Sequence, residues 1–416
     1  MFFSKNNKSI LFIVIFLGII SLIFAAYIGE DSLGGAKHDF LFHAKYINNF
    51  AENFQNAFND FGKTFEVRNS PVFYIYSSLL VKFGFKIELL KYLNLFIIFP
   101  LIVFFLKSIN LKHKKLTFLG KSFLIAIIFI SPTIRSLSAW PYPLTWAICF
   151  FIISIYYFLK FEETKIKKDK FYFALLNIFF LAISAYFTPN FGVFAIYYFI
   201  NFVKFFKISK QTLLIILSNI ILSLPAIYFL ALKDFYIFRH ETEHVIQNYS
   251  IYDTINISNK IIIITSIIFF FFLPLIDFKK IKFKNFYGNN LPLILFIIIN
   301  IFFYNFSPGL GGGFFFHLSN ILVNGPYLLF LIFIISLYIF KDNGLFNINN
   351  FFLFFILIIY NIQSTIYFKY YDPIIFFIIL FLVEQKKYVS DIVARRYMVF
   401  YLFFLFISFG KEMVIN

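Results

Sequence analysis

The sequence predicts an all-α fold, a polytopic transmembrane bundle of helices. Apolar residues make up 61% of the 416 residues and charged residues only 14%, and the mean hydropathy is +0.83. A soluble domain is nearer half apolar and a quarter charged. Apolar runs alternate with short polar segments, and at ~20 residues per crossing they give about thirteen spans. We expect residues 1–416 to form a single integral membrane domain.

The lysine clusters orient the predicted bundle. A net charge of +17 would suggest nucleic-acid binding in a soluble chain. Here the basic clusters fall in short loops on one side of the predicted spans, as the positive-inside bias requires. They lie within residues 107–115, 165–170, 204–210, 279–284 and 386–396. We therefore expect no nucleic-acid partner, a cytoplasmic N-terminus, and membrane lipids as the surrounding phase.

The alternation of charge and apolar runs assigns each span in turn. Residues 29–90 form a first long outer segment, and residues 233–259 form a second. Within the first, residues 71–85 are apolar but short, which indicates a helix lying at the interface or re-entering the membrane. The predicted spans are 10–28, 90–107, 117–133, 143–160, 171–187, 191–207, 212–231, 260–276, 291–306, 321–340, 351–368, 372–384 and 397–410.

Acids and imidazoles gather in the first outer segment. Glu30 and Asp31 follow the first span, and His38, Asp39 and His43 come shortly after. If 38–50 is helical, Asp39 and His43 lie one turn apart on one face. A carboxylate beside an imidazole suits proton abstraction from an alcohol, and either group could help to hold a divalent metal. The alternative is a solvated helix that anchors at the interface.

Among the cations on the predicted outer side, which run against the positive-inside bias, three stand out. Arg68 precedes the apolar segment that begins at Pro71, Arg135 lies near Trp140, and Lys369 is followed by two tyrosines. Arginine binds phosphate well through paired hydrogen bonds. These cations are candidates for a phosphate site, and pairing with a carboxylate or with lipid headgroups is the alternative.

The second outer segment contains a metal-like string. His240 and His244 flank Glu241 in the pattern His-Glu-x-x-His, which can bind zinc. The string stands in an outer loop with no clear third ligand and no soluble catalytic domain around it. We interpret it as a polar loop, with metal or acceptor binding as the second reading and proteolysis as the third. The sequence does not specify a cofactor, and a divalent metal ion is consistent with these residues.

Taken together, these features resemble the GT-C superfamily of membrane glycosyltransferases, in its group that uses sugars linked to polyprenyl phosphate. Asp39-Phe40-Leu41-Phe42-His43 is similar to the acidic motif of the first loop, with Phe40 in place of a second acid. Glu30-Asp31 is another candidate for that motif. Further similar features are Arg68 to Pro71, Tyr74, Tyr76, the Lys82-Phe83-Gly84 end, Ser131 to Arg135, Tyr186 to Asn190 and Lys369 to Pro373.

The resemblance implies transfer of a sugar from a polyprenyl-phosphate donor to a glycan, lipid or protein acceptor. A carboxylate, Asp39 first and Glu30 or Asp31 otherwise, would deprotonate the acceptor hydroxyl, and His43 would orient it. Arg68, Arg135 and Lys369 would contact the donor phosphate. The abundance of Phe, Ile, Lys and Asn points to A/T-rich codons and a bacterium, so the implied site is periplasmic, in the inner membrane.

Three other classes of protein remain. A polysaccharide polymerase, ligase or flippase of the cell envelope also has many spans, but a transporter should carry ionisable residues in mid-span. A membrane zinc protease would need another ligand close to His240 and His244. The third class is a non-catalytic envelope scaffold, and only the clustered charges on the predicted outer side argue against it.

The sequence predicts that Asp39 is essential and that His240 and His244 are dispensable. In cells that carry His240→Ala or His244→Ala, a glycan modification should persist, because neither imidazole takes part in the proposed proton transfer. The measurement is the glycan profile at matched protein levels, with Asp39→Asn as the comparison. Loss of the modification in His240→Ala but not in Asp39→Asn would move the active site to the second loop.

Overall fold

A computed structural model describes residues 7–32, 35–61, 69–232, 257–277, 290–305, 311–361, 366–385 and 389–415. Within these ranges every regular element is a helix, so the predicted all-α class is confirmed. The chain forms two compact units, which are Met1–Ile237 with Val389–Asn416, and Phe238–Tyr388. That residues 1–416 act as a single domain stays a prediction.

The first unit contains thirteen α-helices among its described residues. They are α1 Asn7–Ile28, α2 Ala36–Glu52, α3 Phe54–Asp60, α4 Val72–Lys82, α5 Leu90–Phe96, α6 Ile98–Lys112, α7 Phe118–Ile130, α8 Pro132–Ala139, α9 Pro143–Glu163, α10 Lys167–Phe187, α11 Phe194–Phe206, α12 Lys210–Leu232 and, at the end of the chain, α19 Asp391–Ile415.

The second unit contains six α-helices in its described part. They are α13 Ile257–Phe272, α14 Leu291–Phe302, α15 Gly313–Val323, α16 Tyr327–Asp342, α17 Ile348–Tyr360 and α18 Ile374–Phe381. A 3₁₀ turn, Phe368–Tyr370, precedes α18 and carries Lys369.

Seven helical segments in the described chain are long and apolar enough to cross a membrane. They are Lys8–Ile28, Ile87–Lys112, Pro143–Glu163, Lys167–Phe187, Lys210–Phe229, Ile257–Leu275 and Asp391–Gly410. The α7–α8 pair, bent by 48°, would make an eighth. These helices support a membrane protein, and the total of about thirteen spans stays a prediction.

The helices of the first long segment form where the sequence places them. The expected helix at 38–50 is part of α2, and the short apolar helix expected within 71–85 is α4. The buried residues of α2 are Ala36, Phe40, His43, Ile47 and Phe50, which recur every three or four positions. This spacing gives a helix one buried face, and α2 packs that face toward α4.

The predicted span over 321–340 is divided. The expected helix over 321–340 begins inside α15, which ends at Val323, and continues as α16 from Tyr327. Asn324 adopts the left-handed conformation that commonly ends a helix. Pro326 then caps α16, where the missing amide hydrogen of proline does no harm. A hydropathy pattern does not detect a local break of this kind.

The bend between α7 and α8 brings a polar helix among apolar ones. Ser131 ends α7 and its side chain accepts a hydrogen bond from the Ile134 amide, while Pro132 begins α8. Proline is well suited to the first position of a helix. Seven of the eight residues of α8 are buried, and Arg135 is the exception. The helix packs against α1, α5 and α9 within the first unit.

Close packing of α1 on α7 depends on Gly18. A Cβ atom at this position would lie 2.3 Å from Cγ of the buried Phe129 ring. Gly18→Ala should lower stability by roughly 1–3 kcal/mol, the usual range for overpacking. Gly410→Ala is the matched control, because it also lies in a helix and its added methyl group would meet nothing within 4 Å.

Both substitutions gain the same helix propensity, about 1 kcal/mol, so their difference isolates the clash. The measurement is thermal unfolding of the two variants in one detergent. Equal melting temperatures would contradict the α1–α7 packing.

Candidate functional site

The turn at residues 29–32, which follows α1, is attached to α8 by hydrogen bonds. The indole Nε1 of Trp140, the residue after α8, donates to the Gly29 carbonyl at 3.3 Å. At the other end of the turn, the Ser32 hydroxyl donates to the Pro132 carbonyl at 3.3 Å. The two bonds fix both ends of the turn against one helix.

Glu30, inside this turn, forms a buried ion pair with Arg135 of α8. Arg135 Nε lies 2.8 Å from Glu30 Oε1, and Nη2 lies 2.5 Å from Oε2. The side chain of Glu30 is 1% exposed and that of Arg135 is 11% exposed. Arg135 Nη1 also donates to Ser21 Oγ at 3.0 Å and to the Phe129 carbonyl at 3.2 Å. Such a two-point pair between charged groups is strong and directional.

Pairing with a carboxylate was the alternative interpretation of Arg135, and the structure shows that Glu30 is this carboxylate. Its guanidinium is engaged by Glu30 rather than facing an open surface. The use of Arg135 for a donor phosphate stays a prediction, as does the use of Glu30 as a base. In the described structure, the Glu30 carboxylate and the Arg135 guanidinium bind each other.

Asp31 joins the same turn to α2. Its carboxylate accepts hydrogen bonds from the backbone amides of Gly35, Ala36 and Lys37, at 3.0, 3.0 and 3.2 Å. These amides belong to the start of α2, where backbone donors have no partner within the helix. A carboxylate there is also favoured by the helix dipole. The Ser136 hydroxyl of α8 donates to Asp31 at 2.9 Å, so one side chain links α2 to α8.

Asp39 and His43 lie on α2 as expected, one turn apart. Asp39 is in the first turn of the helix and is half-buried, whereas His43 is buried. His43 Nδ1 lies 2.8 Å from the Tyr74 hydroxyl of α4. The direction of this hydrogen bond depends on the tautomer of the imidazole. The His43 ring also meets the Tyr142 ring edge-on, with the ring centres 4.6 Å apart.

Tyr74 remains a neutral phenol near Asp39. Burial raises the pKa of Tyr74 well above its ordinary value, and the neighbouring Tyr142 adds to the effect. A hydrogen bond with Asn69 opposes the rise in pKa, and the negative charge of Asp39 adds a smaller increase. At neutral pH Tyr74 can therefore hold His43 by a hydrogen bond without carrying charge. Asp39, His43 and Tyr74 form one polar group at the α2–α4 contact.

Asn94, a buried asparagine, was not among the residues predicted from the sequence. Asn94 of α5 donates to the Leu137 carbonyl of α8 at 2.8 Å and accepts from Trp146 Nε1 of α9 at 2.8 Å. It therefore ties three helices together. The signal was present in the sequence, because an amide inside a predicted span must find partners.

A buried lysine was also missed, in the second unit. Lys260 of α13 is 6% exposed and donates to the Asn361 carbonyl at 2.8 Å. Lys369 lies in the same unit, half-buried, with its ammonium 5.4 Å from the centre of the Tyr367 ring and 5.8 Å from that of Tyr370. A cation against aromatic faces is held by the ring quadrupole. Its predicted contact with phosphate stays a prediction.

The remaining predicted site residues lie outside the described ranges. Arg68, His240 and His244 belong to this group, so neither the predicted phosphate contact nor the metal reading is tested. Among the residues that the structure describes, no group of three or more His, Cys, Asp or Glu side chains is placed to hold a metal ion.

Comparisons with protein-family models, with curated proteins and with solved structures found no significant match to the chain.

The cap that Asp31 gives to α2 can be tested directly. Asp31→Ala removes the acceptor for three amides and should loosen the start of α2 by about 0.5–2 kcal/mol, the usual effect of losing a helix cap. Hydrogen exchange at Gly35, Ala36 and Lys37 should then become faster by roughly twofold to thirtyfold. Glu52→Ala, at the exposed far end of α2, is the control, and equal exchange in both variants would exclude the cap.

Proposed function

We propose that the protein is a GT-C-type glycosyltransferase that uses a sugar linked to polyprenyl phosphate. The observation that supports it most is the placement of Asp39 and His43 on one face of α2. This helix is bonded through residues 29–32 to a membrane-embedded helix pair. A half-buried carboxylate beside an imidazole, at the end of an apolar bundle, suits a reaction between a lipid-borne donor and a polar acceptor.

The proposed step is a displacement at the anomeric carbon of the sugar. The acceptor hydroxyl oxygen forms the new glycosidic bond, and its proton passes to the Asp39 carboxylate. The bond between the anomeric carbon and the phosphate oxygen breaks, and polyprenyl phosphate leaves with the bonding electron pair. A positioned base of this kind typically contributes 10²–10⁴-fold to a rate.

His43 is proposed to orient the acceptor or Asp39. Its Nδ1 is directed to the Tyr74 hydroxyl, which fixes the orientation of the ring. Tyr142 packs against the ring edge. These contacts hold the imidazole in one orientation, as a positioning group in a reaction site requires.

Cations are proposed to stabilise the departing phosphate. Arg68 and Lys369 are the candidates, and a divalent metal ion could share the task. Arg135 is the least supported of the predicted phosphate contacts, because Glu30 occupies its guanidinium. Placement in a bacterial inner membrane, with about thirteen spans and a periplasmic site, belongs to this proposal.

A transporter has less support from the described spans. Lys170 and Lys260 are buried, but each is only the fourth residue of its helix, α10 or α13. A translocation path is expected to place ionisable groups near the middle of a span. In the seven described helices that are long enough to cross a membrane, the charged residues instead lie near the helix ends, which suits chemistry at a membrane surface.

Asp39→Asn should abolish transfer, because the amide cannot accept the proton. Membranes that contain the variant are incubated with polyprenyl phosphates carrying a labelled hexose, pentose or amino sugar, and release of polyprenyl phosphate is measured. We expect a loss of at least about 100-fold. Glu52→Gln is the matched control, since it removes one negative charge from the exposed end of the same helix.

Equal protein levels in the membrane complete the comparison. Full activity of Asp39→Asn would remove this carboxylate from the reaction. Failure of the unmodified protein to consume any of the donors would reject the proposed function itself.

A further inference from the structure

In the link between α1 and α2, four consecutive residues are bonded to α8 or to Trp140, which directly follows it. Gly29 accepts from Trp140, Glu30 pairs with Arg135, Asp31 accepts from Ser136, and Ser32 donates to the Pro132 carbonyl. We name this set of four contacts the α8 clasp. A turn that is held at four consecutive residues determines where α2 begins.

The α8 clasp also holds the start of α2, and with it the polar group of Asp39 and His43. Asp31 binds the amides of Gly35, Ala36 and Lys37, so the start of the helix moves with the turn. Asp39 lies in the first turn of that helix, and His43 one turn further on. A shift of the turn relative to α8 would therefore carry both side chains away from the rest of the site.

We infer that Glu30 and Arg135 are positioning residues, which set the place of Asp39 and His43 by holding the 29–32 turn on α8. The inference rests on the proposed function, since it assigns the pair a part in the same reaction. A misplacement of ~1 Å far from the reacting atoms can lower a rate by about 100-fold. A buried, two-point ion pair is suited to prevent such a shift.

The competing reading is that Glu30 is itself the base. The geometry opposes it, because both carboxylate oxygens are engaged by Arg135 and the side chain is 1% exposed. The two readings differ in what happens when the pair is replaced as a unit. A positioning pair can be replaced by apolar side chains of similar size, which often preserves the fold. A base cannot be replaced in this way.

The experiment compares Glu30→Gln with the double variant Glu30→Leu/Arg135→Met. Release of polyprenyl phosphate from the same labelled donors gives kcat and KM. Glu30→Gln leaves a buried guanidinium without its counter-charge, and we expect kcat to fall about 100-fold while KM changes by less than about threefold. The double variant should recover to within about tenfold of the unmodified protein.

Either of two kinetic results overturns the inference. One is an unchanged kcat in Glu30→Gln, and the other is a double variant that is as inactive as the single one. If Glu30→Gln does not accumulate in membranes, Ser136→Ala tests the same clasp more gently. It removes one hydrogen bond to Asp31, and a fall in kcat of roughly threefold to tenfold is expected. An unchanged kcat in Ser136→Ala counts against the inference.

Tryptophan fluorescence provides a readout that does not depend on activity. The chain has only two tryptophans, so Trp146→Phe leaves Trp140, whose indole is part of the α8 clasp. In this background, Glu30→Gln should shift the emission of Trp140 to longer wavelength as the turn leaves α8, and the double variant should reverse the shift. An unshifted spectrum in Glu30→Gln overturns the inference even when the unmodified protein is active.

The two readouts separate the inference from the proposed function. No donor consumption by the unmodified protein, together with the expected emission shift, rejects the proposed function and supports the clasp as the element that fixes the turn. Normal donor consumption, together with full activity in Glu30→Gln, keeps the proposed function and rejects the positioning role.

Discussion

The buried pair of Glu30 and Arg135 is the interaction on which the arrangement of the first unit depends. Each charge would be costly alone among the packed helices, and removing one partner of such a pair typically destabilises a protein by about 3–5 kcal/mol. The requirement that the two charges meet fixes the end of α1 against α8. Because α8 continues α7 after a bend, this one contact ties the connecting turn to the α7–α8 pair of helices.

Neighbouring acids in this segment have different surroundings and therefore different uses. Glu30 is neutralised by a guanidinium, and Asp31 is satisfied by three backbone amides and a hydroxyl. Asp39 is half-buried and lies beside an imidazole and a neutral phenol. A carboxylate whose oxygens bind a guanidinium or backbone amides in this way holds structure.

The sequence predicted the helical class, the presence of helices α2 and α4 and the shared face of Asp39 and His43, because hydropathy and helical spacing are local signals. It named Arg135 and Glu30 separately and left a carboxylate partner for Arg135 as one alternative. It could not pair them, since the pairing depends on how α1 packs against α8. The break at Asn324 and the bridging role of Asn94 also depend on packing or on local turns that hydropathy does not record.

The bend at Ser131 and Pro132 explains why so polar a helix can lie among apolar ones. A straight continuation of α7 would place Arg135 and three hydroxyl-bearing residues along the surface of a membrane span, where unpaired polar groups are costly. The bend instead turns α8 into the bundle, where the turn after α1 supplies the carboxylates and α5 supplies an amide. Arg135 and Ser136 of α8 and the two acids of the turn thus satisfy one another. The site on α2 follows from that mutual requirement rather than from the stability of α2 alone.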